Sequence, residues 1–215
     1  MAERYPGYDV LNKRNSVSWN EQTRAVIDRR MAIDRNKHRY FSEREWPTIR
    51  AVCDRIVPQP PDRTHPVPLA AMVDEKLSID VGDGYRNARL PPMREAWRRG
   101  LAAIDAEAKA RHGRRFHELD ETRQDDLLSA IQRGEVREKA WRDLPAELFF
   151  KQRLLHDIVS SYYAHPAAWN EIGFGGPASP RGYVRMNFDR RDPWEASEAR
   201  PGREEKARAE NARVG

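Results

Sequence analysis

The chain has 215 residues, 39% of them hydrophobic and 34% charged, with a formal net charge of +5 and one cysteine. That length can bury a substantial core without disulfides, and a lone cysteine, Cys53, excludes an intramolecular one. No stretch approaches the apolar length of a bilayer-spanning helix, which excludes an integral helical membrane protein.

The first residues, "MAERYPGYDVLNKRNSVSW", lack the apolar run of a signal peptide. A cytoplasmic location is therefore expected, or a periplasmic one if a partner carries the export signal. Residues 1–40 hold nine Lys and Arg against five Asp and Glu, and residues 189–215 hold seven of each. The basic excess thus belongs to the N-terminal arm, and the body between is near neutral. Three parts are expected: a basic arm over 1–40, a helical domain over 41–188, and a charged tail over 189–215 that is disordered alone.

Alternating β-branched runs are absent, so the expectation is all-α: a single irregular domain of about five helices. The first helix runs from about Ser42 to Val57. Ser42 and Glu45 have the form of a capping box, and Trp46, Ile49, Val52, Cys53 and Ile56 share one face. Consecutive prolines in "VPQPPDRTHPVP" end it, and Pro68 opens a second helix with Leu69, Met72, Val73 and Leu77 inward.

Pro91 and Pro92 precede a third helix through Met93, Trp97, Leu101, Ile104 and Ala108, closed by Gly113 as a left-handed cap. Gly100 within it weakens helix propensity, which points to close packing of another helix. Asp120 caps a fourth helix carrying Leu127, Leu128 and Ile131, with Gly134 at its end. The fifth starts at Pro145 and carries Leu148, Phe149, Leu155, Ile158, Val159 and Tyr162 to Ala164, where His165-Pro166 stops it. Beyond lies a long aromatic and glycine-rich loop.

No GxGxxG after a strand, P-loop, HExxH or cysteine pair is present in the sequence. His156 and Asp157 are neighbours on a helix and are not expected to form a dyad. His165 is read as a cation meeting a helix C-terminus, and His38, His65, His112 and His117 as exposed. An enzyme acting alone through His156, His165 and Tyr162 or Tyr163 is one alternative; a nucleic-acid-associated protein using the basic arm is another. Trp169, Phe174, Tyr183 and Trp194 lie outside any defensible helix, where binding a partner and packing on the chain itself compete.

"FSEREWPTIRAVCDRIVPQ", "LAAMVDEKL", "FHELDETRQDDLLSAIQRGE" and "ELFFKQRLLHDIVSSYYAHPAAWNEIGFGGPASPRGY", in that order, resemble the gluconate 2-dehydrogenase subunit 3 family over about residues 41–183. The resemblance implies a helical small subunit, free of cofactor and of catalytic residues. Its partner would be a large flavoprotein of the glucose-methanol-choline type that holds FAD and oxidises a sugar or polyol. It also implies a hetero-oligomer in which Tyr163, His165, Trp169, Gly173, Phe174, Gly175, Gly176 and Tyr183 meet that partner, with no direct nucleic-acid contact; Trp194, beyond the resemblance, is added to this partner-binding set for its aromatic ring outside any helix. The exported members of the family begin with a twin-arginine signal, which this chain replaces with its polar, basic arm.

Overall fold

The computed structural model describes residues 3–179, 182–185 and 191–214. The boundary expected between 188 and 189 lies outside them. Nine α-helical segments occur among the described residues: α1 (Glu21–Met31), α2 (Trp46–Ile56), α3 (Leu69–Ile79), α4 (Met93–His112), α5 (Glu121–Gln132), α6 (Ala146–Phe149), α7 (His156–Tyr163), α8 (Pro166–Ile172) and α9 (Glu204–Asn211). The all-α expectation holds. The described residues group into two compact units, one of residues 33–64 and 68–162, the other drawn from the described residues of 1–32, 65–67 and 163–215.

The larger unit agrees closely with the sequence signals. Ser42 and Glu45 exchange reciprocal hydrogen bonds, one turn ahead of α2. Pro47 falls in the first turn of α2, where its missing N–H costs nothing. The Asp120 side chain accepts from Arg123 N at the start of α5. Gly113 closes α4 at φ 72°, and Gly134 comes after α5 at the same angle. The inward faces of α2, α3, α4 and α5 bury Ile49, Val52, Val73, Leu77, Trp97, Ile104, Leu127 and Ile131. Burial pushes the Cys53 thiol up, so it stays protonated within this core.

Two features were not legible. Between α6 and α7 the chain makes a wide π turn, Phe150–Leu155. The extra residue rotates the helix beyond it, so Leu154 points inward and Leu155, expected inside, is exposed. The same rotation brings Asp157 fully into the interior. Asp157 is one of three carboxylates buried in this unit, and each is satisfied by hydrogen bonds. Asp157 accepts from Trp97 Nε1 at 2.8 Å and Lys76 Nζ at 3.1 Å. Asp74 on α3 accepts from the backbone N–H groups of Arg39, Tyr40 and Phe41. Glu107 on α4 accepts from Arg137 N, Glu138 N and Arg111.

In the smaller unit, Tyr8, Val10, Trp19, Ile27, Trp169 and Val214 form a core of their own. Described residues of the arm and the tail are joined by hydrogen bonds in this unit. Ala199 N donates to Arg4 O, and Asn211, fully buried, donates through Nδ2 to Pro6 O and Ser197 O. These bonds give the charged tail tertiary partners, which its composition does not reveal. With them, α9 buries Ala207.

Gly100 meets its expectation: a Cβ there would lie 1.9 Å from Phe149 Cζ. Gly100→Ala is therefore expected to lower unfolding free energy by about 1–3 kcal/mol in urea titrations, although alanine is the better helix former. For Glu107, burial pushes the carboxyl up, but the Glu138 amide, Arg111 and the Arg137 amide together hold it below the ordinary value of 4.5. Its stabilisation is fully present above about pH 4.5 and is lost as pH falls through the lower folded value. Glu107→Gln should cost about 1–3 kcal/mol at pH 7. The gap to the wild type should narrow on acidification, as measured by urea midpoints at several pH values.

Candidate partner-binding surface

The expected site lies in the smaller unit and begins with a helix that the local sequence signals do not announce. His165, expected to meet the end of the preceding helix, caps the start of the next one. Its backbone is extended and its Nδ1 accepts from Ala167 N at 3.2 Å, which makes it the N-cap of α8, with Pro166 in the first turn. The cap places His165 at the start of α8, where its Nδ1 serves that helix's first turn. Gly173 at φ 64° closes α8, and Phe174 N donates back to Trp169 O.

α8 turns Trp169 inward. It is 3% exposed, and its Nε1 donates to Tyr163 O at 2.5 Å. The glycines beyond α8 accommodate this unit's own rings. A Cβ on Gly176 would lie 2.9 Å from the Trp169 ring and 3.2 Å from that of Trp19, and one on Gly173 would lie 2.5 Å from Tyr5. One on Gly175 would meet Lys13 Nζ at 3.5 Å. With these ring faces against it and no strand before it, the segment does not fit a dinucleotide pyrophosphate.

Phe174 packs edge-on against Trp169, with centroids 5.7 Å apart, and stacks on Tyr183 at 6.3 Å. Phe174 is 39% exposed, Tyr163 46% and Tyr183 70%. Trp194 is half-buried, and its carbonyl accepts from Tyr8 Oη at 3.0 Å. Burial pushes the Tyr8 phenol up to about 12, so it remains a donor. A groove of about 320 Å³ runs between Phe174, Tyr183 and Trp194, with Lys13, Arg185 and Glu195 on its walls.

The structure therefore separates the nine expected residues. Phe174 and Tyr183 come together at the surface, Tyr163 is exposed, and Gly173, Gly175 and Trp194 are half-buried. His165, Trp169 and Gly176 are interior. The residues that close this core from the arm, Tyr8 and Trp19, went unread because they lie in a segment with no helical repeat. Their aromatic character was the available signal.

In the larger unit, Asp83, His156 and Asp157 place ligand-type atoms within 4.8 Å of one another. His156 Nδ1 reaches Asp157 Oδ1 at 3.3 Å, a contact that the expected divergence of helix neighbours did not allow for. Lys76 already bridges Asp83 at 2.8 Å and Asp157 at 3.1 Å, and Arg153 reaches Asp83 at 3.3 Å and Asp157 at 3.6 Å. These cations occupy the carboxylates, so the cluster works as an internal ion-pair network. His38, expected to be exposed, stacks on Trp46 at 4.6 Å.

These features define an all-helical protein in which buried charges fix loops and exposed aromatic rings form a surface patch. The chain belongs to the gluconate 2-dehydrogenase subunit 3 family, whose sequence model matches residues 43–176, more than half of its length. No curated protein and no solved structure matches it. No helix among the described residues is long and apolar enough to cross a membrane.

The two aromatic classes should separate on substitution. Trp169→Ala is expected to lower stability by about 3–5 kcal/mol, as for other buried aromatics. Tyr183→Ala should stay within about 0.5 kcal/mol of the wild type. Thermal unfolding monitored by circular dichroism distinguishes the two.

Proposed function

We propose that this chain is a non-catalytic small subunit that binds and stabilises a large FAD-dependent dehydrogenase subunit of the glucose-methanol-choline type, acting on a sugar or polyol. The family membership over residues 43–176 carries this reading, since the family is named for a dehydrogenase subunit. FAD and the residues that oxidise substrate would reside in the partner. The exposed pair Phe174 and Tyr183 supports it, because stacked rings at a surface provide rigid, low-entropy anchors for another chain.

The nucleic-acid alternative loses ground because much of the arm's charge is engaged internally. Lys13 is buried, Arg14 pairs with Asp28, Arg24 donates to Trp19 O, and Arg30 donates to Ala164 O. With Arg4, which pairs with Glu198, five of the nine arm cations are thus engaged within the unit.

Tagged full-length chain recovered from its native host should carry a yellow flavoprotein with flavin absorption, and sugars and polyols can then be screened on the complex. Phe174→Ala with Tyr183→Ala should weaken association by about 2 kcal/mol or more. A colourless chain that elutes alone overturns the subunit reading.

A further inference from the structure

The loop after α3 exposes apolar side chains beyond the needs of folding in the larger unit. Val81 is 67% exposed and Tyr85 80%, beside the exposed Ile79. Val81 and Tyr85 line a groove of about 360 Å³ together with the buried Leu77 and Leu90, the half-buried Met93 and the exposed Pro92. The loop is also fastened in place. Asp83 is held by Lys76 at 2.8 Å and Arg153 at 3.3 Å, and Asp80 by Arg94 at 3.2 Å. Apolar side chains presented on a tethered loop lose little freedom when something covers them.

The charges around the groove have one sign left over. Asp80 and Asp83 are consumed by the ion pairs above. Arg86 on the groove wall donates to Leu90 O at 2.7 Å, and among the described residues it has no carboxylate within ion-pair distance. Exposed Arg89 and Lys151, adjoining the lining residues Leu90 and Gln152 in sequence, likewise have none among the described residues. An apolar floor with unneutralised cations at its edge fits an extended or helical segment that carries both apolar anchors and acidic side chains.

We propose that this groove is a docking site for an acidic, apolar-anchored segment of the large flavoprotein subunit. It is a second contact surface besides the Phe174–Tyr183 patch, and the proposal rests on the subunit reading above. Tyr85 supplies the exposed aromatic anchor and Arg86 the charge contact. The concavity of the site favours a protruding peptide over a flat lipid surface, although anionic lipid shares the same charge chemistry.

The test uses the full chain and the purified flavoprotein subunit, with binding measured at low and high salt. Tyr85→Ala should weaken binding about tenfold or more. The double variant Arg86→Glu with Arg89→Glu should weaken it at low salt and flatten its salt dependence. Circular dichroism should show both variants folded; if the charge-reversed variant melts early, Tyr85→Ala carries the test alone. Wild-type affinity in the folded variants overturns the groove and leaves the subunit reading intact. Failure of the wild type to bind the flavoprotein overturns both. Binding of the wild type to phosphatidylserine vesicles that the charge reversal abolishes, with flavoprotein binding unchanged, assigns the groove to a membrane and overturns the proposal.

Discussion

A carboxylate removed from water must be given hydrogen bonds by the protein, and the larger unit is arranged around three such obligations. Asp74 gathers three consecutive amides ahead of α2, Glu107 fixes the segment after α5, and Asp157 joins α7 to α3 and α4 through Lys76 and Trp97. Each lies on a helix and receives at least one donor from a distant part of the chain. The apolar stripes bring helices together, but they are non-directional and tolerate sliding. The buried acids are directional, so they select one arrangement of the loops among those the stripes would allow. Any loop shift would leave a buried charge without its donors.

The ion-pair network at Asp157 extends this logic outward. Lys76 and Arg153 each touch an interior carboxylate and the loop carboxylate of Asp83, so the order of the core is passed to a surface loop through two side chains. The smaller unit reaches the same end by different means. Trp169 is held by ring packing and one indole hydrogen bond, and Phe174 and Tyr183 are then stacked outward from it. In the smaller unit the exposed ring of Phe174 sits one contact away from the buried Trp169, and Tyr183 one contact further out.

Helix existence and most helix ends in the larger unit were legible because local signals decide them. Asp120 as a cap, Gly113 as a left-handed stop and Gly100 as a close-packing site each need only a few neighbouring residues to be interpreted. The π turn was not legible, since one inserted residue changes which of Leu154 and Leu155 faces inward without altering composition. Nor was the smaller unit, whose core is assembled from Tyr8, Trp19, Trp169 and Val214, residues far apart in sequence with no shared period. The site suffered most from this. The segment "SYYAHPAAWNEIGFGG" carries the family resemblance, but only tertiary contacts separate its inward half, His165, Trp169 and Gly176, from its outward half. Family resemblance locates a segment; burial determines which side chains a partner could touch.

The joining of Arg4 and Pro6 to Ala199 and Asn211 has a consequence for how the protein is made. Translation is vectorial, so Tyr8 and Trp19 leave the ribosome long before Trp169 and Val214 exist to cover them. The larger unit is complete once Tyr162 has emerged, yet the N-terminal aromatics stay uncovered by their own core until Trp169 and Val214 have followed. The interval during which these rings lack their own core is therefore set by elongation speed over residues 20–214.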